Sequence, residues 1–270
     1  MSTVTVSKGS SYSIPSGQTD TSDTVLSGGT MFILSGGVAS STLVEAGGFL
    51  TVNDGGTEVG LVNSGTVNGS GGVISGTVAN GGLVEASGAD AYLALVGSTT
   101  NSKGKTIEAI AAGSGGFAEL ILGGPVSNSG TIEALATAAA SIAYVDIGGS
   151  VDNTSGRIVA SGNGIIDLAG GAVISGGTLQ TVGAGAAIAA YPGGSATIVS
   201  AAMVSNSLVA ARGGALTLSA VTFGADDKLD ASVGGTLVVS GGAAFKNDAS
   251  IALSCPQNRT ARRVGSNERL

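Results

Sequence analysis

Histidine is missing from this 270-residue sequence, and cysteine occurs once, as Cys255. The lack of histidine excludes histidine-based acid–base catalysis, Ser-His-Asp triads and the commonest metal ligand. The single cysteine excludes an intramolecular disulfide framework, and without histidine it lacks the usual base that activates a thiol. Catalytic or metal-binding chemistry would therefore have to rest on carboxylates.

Large aromatic residues and charges are also scarce. The chain has five Phe, four Tyr and no Trp, and 11% of its residues are charged while 43% are hydrophobic. A single globular core would lack its usual large side chains, whereas a thin core stacked from Val, Ile, Leu and Ala does not need them. The 11 basic and 18 acidic residues form no basic patch among aromatics before the tail, which argues against a nucleic-acid partner.

Membrane-spanning and targeting patterns are missing as well. There is no run of about 18 apolar residues, so we predict no transmembrane segment in this chain. The first residues, MSTVTVSKGSS, have no charged segment followed by an apolar stretch, so no Sec-type signal peptide is visible. If the protein is exported, we expect another route or an upstream segment.

Repetition is what the sequence has in abundance. The stretch 24–60 contains one pattern twice, 19 residues apart, with glycine pairs between short apolar groups. A weaker copy precedes it, so three residues align at each of three positions: Val6, Val25 and Val44; Tyr12, Met31 and Leu50; Ile14, Ile33 and Val52. A fixed period of about 20 residues is typical of a solenoid whose unit cannot bury its own apolar face.

The repeated unit lengthens after about residue 100. Ile107, Ile132 and Ile158 recur at steps of 25 and 26 residues, and each is followed by a second apolar group that ends in glycine. Two strands and two or three corners per unit are the simplest interpretation. The Ala-rich segment 133–144 is the one serious candidate for a helix, although the other copies of its unit favour strand.

These patterns predict an all-β parallel β-helix of about ten to twelve rungs, where a rung is one turn of the coil. At about 4.8 Å per rung the rod would be about 50 to 60 Å long. We predict a single solenoid over 1–253, with 19-residue repeats in 1–95 and units of about 25 residues in 96–253. The basic tail 254–270 holds four of the six Arg and is predicted to be disordered or aberrant sequence.

Several polar residues are candidates for function. We interpret Asn101, Asn128 and Asn153 as corner residues in the left-handed conformation whose side chains hydrogen-bond nearby backbone, with a glycan or ligand contact as the alternative. Asn-x-Ser/Thr triplets, which occur often by chance in such a chain, begin at Asn68, Asn153 and Asn258.

Carboxylates are the remaining candidates. Asp146 and Asp167 occupy equivalent places in adjacent units, so they could stack one rung apart on an outer face and act as an acid–nucleophile pair or bind Ca²⁺. Solvated outward positions are the simpler interpretation, as they are for a turn with Asp226, Asp227 and Asp230. We predict no catalytic, cofactor-binding or metal-binding residue, and the glycine pairs lack the pattern of a nucleotide site.

The glycine-punctuated units VLSGGTMFILSGGVASSTLVEAGGFLTV and VANGGLVEASG resemble the repeats of AIDA-type autotransporter adhesin passengers. The NSGTIEA units are similar to those of haemagglutinin-like passengers. The resemblance implies a right-handed parallel β-helix, displayed at a Gram-negative cell surface or secreted, with roles in adhesion, self-association or biofilm formation. It implies as partners host or bacterial surface glycans and proteins, or the chain itself. No span after Gly242 has the pattern of the translocator that normally follows such passengers, so we expect this chain to lack it.

The leading hypothesis is a non-enzymatic surface solenoid that binds along its length. The alternative is a carbohydrate-active β-helix enzyme, either a polysaccharide lyase or a hydrolase. Ice binding through a regular Thr array is disfavoured because we expect no recurrence of Thr at one fixed rung position.

Overall fold

A computed structural model describes residues 2–245, 249–254 and 262–263. Every regular element within these ranges is a β-strand, and each pairing between strands is parallel. None of the described elements is a helix, so none could cross a membrane as one. The predicted all-β parallel solenoid is therefore confirmed.

The chain winds around three faces, which we number in the order in which the chain meets them. Face 1 contains β1 (Thr5–Val6), β4 (Thr24–Val25), the second parts of β6 (Val38–Val44), β8 (Thr57–Asn63) and β10 (Gly72–Asn80), then β13 (Thr99–Asn101), β16 (Val126–Asn128), β19 (Ser150–Asp152), β22 (Ala172–Ser175), β25 (Ser195–Val199), β28 (Ala215–Ser219), β31 (Thr236–Ser240) and β34 (Arg262–Arg263). Face 2 contains β2 (Ser11–Ile14), β5 (Thr30–Ile33), β7 (Phe49–Asn53), β9 (Thr66–Ser70), β11 (Leu83–Ser87), β14 (Thr106–Ala111), β17 (Thr131–Ala136), β20 (Arg157–Ser161), β23 (Thr178–Val182), β26 (Ala202–Met203), β29 (Thr222–Phe223) and β32 (Ala244–Phe245). Face 3 contains β3 (Thr19–Thr21), the first parts of β6, β8 and β10, then β12 (Ala91–Leu95), β15 (Phe117–Leu122), β18 (Ile142–Ile147), β21 (Gly164–Leu168), β24 (Ala187–Ala190), β27 (Leu208–Arg212), β30 (Lys228–Ser232) and β33 (Ser250–Ser254).

The sheet of face 2 has 12 strands, and each marks one rung, so the rod has about twelve rungs. We number the rungs from the N-terminus, and rung 1 is formed by β1, β2 and β3. Strands β6, β8 and β10 run without a break from face 3 of one rung to face 1 of the next. Their bends lie at Ser41, Gly60 and Gly76, where φ is 60°, 80° and 71°. The chain therefore turns this corner through single residues in the left-handed region.

The strand register confirms the repeats predicted from the sequence. Val6 pairs with Val25 and Val25 with Val44, as the 19-residue period requires. In the longer units Ile107 pairs with Ile132, which in turn pairs with Ile158. The Ala-rich segment is divided between strands β17 and β18, so the strand interpretation is correct and the helix alternative is wrong. A helix in this segment would have removed the pairing of β17 with β14 and β20.

The core is a narrow lumen lined by alternate residues of each strand. In β14 and β17 the pattern of burial alternates strictly, with Ile107, Ile132 and their inward neighbours fully covered. Small residues suit the tight corners: a Cβ added to Gly97 would lie 1.6 Å from the carbonyl oxygen of Gly76 on the rung below. Successive rungs thus pack backbone directly against backbone at this corner.

The predicted tail 254–270 falls mostly outside the described residues, as do Cys255 and Asn258. Of this segment, Ser254 ends β33, and Arg262–Arg263 pairs with Val238 and Val239 of β31. The predicted boundary at residue 95 and the disorder of the tail stay predictions.

Candidate functional site

A row of buried asparagines lies at the corner between face 1 and face 2, and we call it the asparagine spine. It consists of Asn63, Asn80, Asn101, Asn128 and Asn153, all between 0% and 2% exposed. Each side-chain Nδ2 donates to Oδ1 of the next asparagine, at 2.9, 2.9, 2.8 and 2.7 Å along the row. The spine holds one corner in register over five rungs, as stacked amide ladders do.

The spine also satisfies the backbone at the corner. Oδ1 of Asn128 accepts from the N–H of Gly130 at 3.2 Å, and Asn80 does the same for Gly82 at 3.1 Å. None of the spine residues has a positive φ. The predicted left-handed conformation was therefore wrong, because the side chains turn inward from strand ends rather than outward from the turn. The predicted hydrogen bonding to nearby backbone is confirmed.

Two shallow grooves flank the spine on the outer surface of rungs 6 to 9. The first runs along face 1, has a volume of about 300 Å³, and is lined chiefly by hydroxyl groups. Its outward row pairs Thr100 with Ser127, Ser127 with Asp152, and Asp152 with Ser175. Polar side-chain oxygens thus repeat at about 4.8 Å along the rod axis, as hydroxyl groups on three rungs and as the Asp152 carboxylate on one.

The second groove lies on the opposite side of the spine, over the turns that lead to face 2. Its volume is about 360 Å³, and its lining includes Ser129, Thr131, Thr154, Ser155, Arg157 and Thr178. The Arg157 guanidinium donates to the side-chain oxygen of Gln180. Hydroxyl groups with a single cation give this groove a largely neutral polar surface.

Face 3 brings together the two carboxylates that the sequence singled out. Asp146 and Asp167 are directly paired on β18 and β21, and Glu119 lies one rung earlier on β15. The pKa of Asp146 is raised to about 7, chiefly by burial and also by the charge of Asp167 and by Glu119. Burial and then Glu119 raise the pKa of Asp167. Asp146 Oδ1 is buried without a hydrogen-bond partner.

The predicted stacking on an outer face is therefore present, and both carboxyl groups are half-buried rather than fully solvated. Tyr144 borders the pair, and its ring centroid lies 5.9 Å from that of Phe117. Burial raises the pKa of Tyr144 as well, with the nearby Tyr191 and Asp146 acting in the same direction. At neutral pH one carboxyl of this group can hold a proton beside one that does not.

Face 2 carries a second carboxylate row that our sequence analysis missed. Glu85 pairs with Glu108, and Glu108 pairs with Glu133, all half-buried on successive rungs. Burial raises the pKa of Glu108 to about 7, and the carboxylates above and below it add to the shift. The signal was in the sequence, since LVEAS, TIEAI and TIEAL carry Glu at one repeat position.

Two further expectations need correction. Asp227 is 1% exposed, and its Oδ1 accepts from the N–H of Ser207 at 2.8 Å, so it is a structural acceptor rather than a solvated corner. Its neighbour Asp226, with φ of 58°, does occupy an exposed corner. Thr also recurs at the first outward position of face 2, contrary to our expectation, in Thr30, Thr66, Thr106, Thr131, Thr178 and Thr222. Larger or charged residues interrupt this row, so it forms no continuous array.

Within the described ranges no group of three or more acidic or cysteine side chains is placed to hold a metal ion.

Comparison with known proteins gives a limited result. No family model and no curated protein matches the chain. Among solved structures, the chain is similar to the crystal structure of the TibC-catalyzed hyper-glycosylated TibA55-350 fragment, with 22% identity, 93% of this chain and 97% of that chain covered, and a TM-score of 0.40. This likeness assigns neither family nor function to the chain.

Proposed function

We propose that this chain is a non-enzymatic, adhesin-like solenoid of the cell surface or extracellular space. It binds host or bacterial surface glycans or proteins, or further copies of itself, along its outer faces. The observation that carries the proposal is the pair of hydroxyl-lined grooves that continue over rungs 6 to 9. The resemblance of the repeats to autotransporter passengers supports the same function.

The shape of the grooves favours weak, repeated contacts. They are shallow, they follow the rod axis, and their polar side chains, mostly hydroxyl groups, recur with the rung spacing. An extended polymer with its own repeat can contact several rungs at once, and its avidity then exceeds the affinity of any single contact. A pocket enzyme would instead enclose most of a small substrate.

The test is binding of the purified chain to bacterial and host cells and to a panel of surface polysaccharides. We expect Ser127→Tyr, which fills the face-1 groove, to weaken binding at least tenfold. The matched control is Ser13→Tyr, because Ser13 is also an exposed, outward strand residue but lies on rung 1, away from both grooves. Equal effects of the two substitutions would refute a role for the groove, and sedimentation of the same samples would show whether the bound partner is a second copy.

A carbohydrate-active enzyme remains the second candidate because of one observation. Asp146 has a pKa of about 7 beside Asp167, and a protonated carboxyl next to an ionised one is the arrangement that glycoside hydrolysis requires. Release of reducing or unsaturated ends from acidic polysaccharides, lost in Asp146→Asn and Asp167→Asn, would establish this function. No release from any of them, with those variants binding cells like the wild type, would eliminate it.

A further inference from the structure

The lumen of the first three rungs contains carboxyl groups among its apolar side chains. Asp20, Asp23 and Glu58 are each 0% exposed, and we call them the lumenal carboxyl cluster. They lie at the corner between face 3 and face 1. Asp20 and Glu58 both pair with Ala39, from rungs on either side of it. Asp23 precedes β4 and lies beside Thr42, since the next residues, Thr24 and Leu43, are register partners.

Glu58 is buried against Thr42. Thr42 Oγ1 donates to Glu58 Oε2 at 2.7 Å, and the Thr42 N–H donates to Oε1 at 3.4 Å. Both hydrogen bonds favour the ionised carboxyl and act to lower its pKa, but burial outweighs them. The register partners of Glu58 on the neighbouring rungs, Ala39 and Ile74, are uncharged. The charge that raises the pKa of Glu58 is therefore that of Asp23. Burial, the largest cause, raises the pKa of Glu58 to about 7.

Asp23 is in a similar state. Its Oδ1 accepts from the N–H of Val4 at 2.7 Å, but its Oδ2 is buried without a hydrogen-bond partner. Burial raises the pKa of Asp23, and the charge of Asp20 acts in the same direction. Asp20 differs: burial acts to raise its pKa, but hydrogen bonds from Ser2, Tyr12 and Gln18 outweigh that effect and lower it. Asp20 is therefore the ionised member that makes a second charge costly.

We propose that residues 2–59 form a proton-controlled segment of the rod. These rungs stay closed while Glu58 and Asp23 hold their protons, and they open locally, with the later rungs intact, when the cluster ionises above neutral pH. Local opening is possible because each rung of a solenoid contacts only its neighbours, so one part of the rod can open without the rest. Opening exposes the strand edges of rung 4, which makes them available for strand pairing in a pH-dependent manner.

The direction of the effect follows from the pKa shift. A carboxyl whose pKa rises from 4.5 to about 7 on folding contributes its full stability below 4.5 and loses it as the pH rises toward 7. Asp23 acts in the same sense. Asp20, with its lowered pKa, acts in the opposite sense, and its contribution is lost in acid rather than in base.

The test is amide hydrogen exchange of the full chain at pH 5 and pH 8, corrected for the intrinsic rates. From the shift of Glu58 alone, the opening constant of residues 2–59 should rise about 70-fold between these pH values, while that of rungs 6 to 9 should stay constant. Glu58→Gln should abolish most of this rise, since its amide can satisfy Thr42 without a charge. Glu45→Gln, at an exposed position nearby, should keep it.

Three results would overturn the proposal. The first is equal pH dependence in the wild type and Glu58→Gln, and the second is a wild-type rise shared by all rungs. The third is a Glu58→Gln variant whose first rungs are unprotected even at pH 5, because a neutral side chain should close them. Asp23→Asn provides an independent check and should also reduce the rise.

Discussion

Replacing one asparagine of the spine should destabilise the rod more than any exposed polar substitution. Asn128 is 2% exposed and makes four hydrogen bonds: it donates to Asn153 Oδ1 at 2.7 Å and Arg157 O at 3.2 Å, and it accepts from Asn101 Nδ2 at 2.8 Å and Gly130 N at 3.2 Å. Asn128→Leu preserves the volume and removes all four. At about 1 kcal/mol for each bond whose partner stays buried, the expected loss is about 4 kcal/mol.

The assay is urea unfolding, followed by circular dichroism, together with hydrogen exchange at Gly130 and its neighbours. Asn68→Leu is the matched control, because Asn68 is a half-buried asparagine of face 2 that makes two bonds, both to the Ser87 backbone, at 3.1 and 3.4 Å. We expect it to cost about 1 kcal/mol or less. Equal losses for the two variants would refute the view that the spine holds the corner.

Asn128→Asp tests the same hydrogen bonds with a side chain of nearly the same shape. The carboxylate keeps the shape but cannot donate, and it places a buried charge against Asn153 Oδ1. Its pKa would be raised in the folded state, so the variant should be less stable than Asn128→Leu at pH 7, should regain stability as the pH falls toward about 4, and should gain no more below that pH.

Two further predictions concern the corners and the carboxylate row of face 2. Gly97→Ala should lower the free energy of unfolding, measured by urea titration, by about 3 kcal/mol or more, since its Cβ would lie 1.6 Å from the Gly76 carbonyl oxygen. Gly170→Ala is the control: its Cβ would have nothing within 4 Å, so it should change the free energy of unfolding by less than about 0.5 kcal/mol. The wild type should lose melting temperature between pH 5 and pH 8, because the raised pKa of Glu108 makes its ionised form unfavourable in the folded state. Glu108→Gln should reduce this loss. Solvent screening at this half-buried site limits the effect on the free energy of unfolding to about 1 kcal/mol. A pH dependence unchanged by Glu108→Gln would contradict that assignment.

Much of the fold could be predicted from the sequence because a solenoid repeats its contacts. Val25 and Val44 align in the sequence at the same offset at which they pair in the structure, and strict alternation tells which residue points into the lumen. Asp146 and Asp167 were placed one rung apart by the same logic. Period and alternation are local properties, so they are visible in the sequence.

Polar groups in the lumen were harder to predict. Asn128 precedes a Ser-Gly turn, and a turn residue and an inward ladder residue look alike until the neighbouring rungs are stacked. Glu58 stands in a polar segment, and its burial depends on Thr42, sixteen residues earlier in the chain. Asp227 likewise accepts from Ser207 and Gly224 across a corner. In each case the partner that makes burial tolerable lies outside the local pattern.

The most direct test of the proposed function is to remove one whole rung without disturbing the register. Deleting 107–131 joins Thr106 to Ile132, and deleting 132–157 joins Thr131 to Ile158, and in both cases the new neighbours already occupy equivalent positions. If binding is spread along the faces, each shortened rod should fold and bind cells more weakly than the full chain by a similar factor. Complete loss of binding after one deletion and full binding after the other would contradict the account, because it would locate the function in a single site.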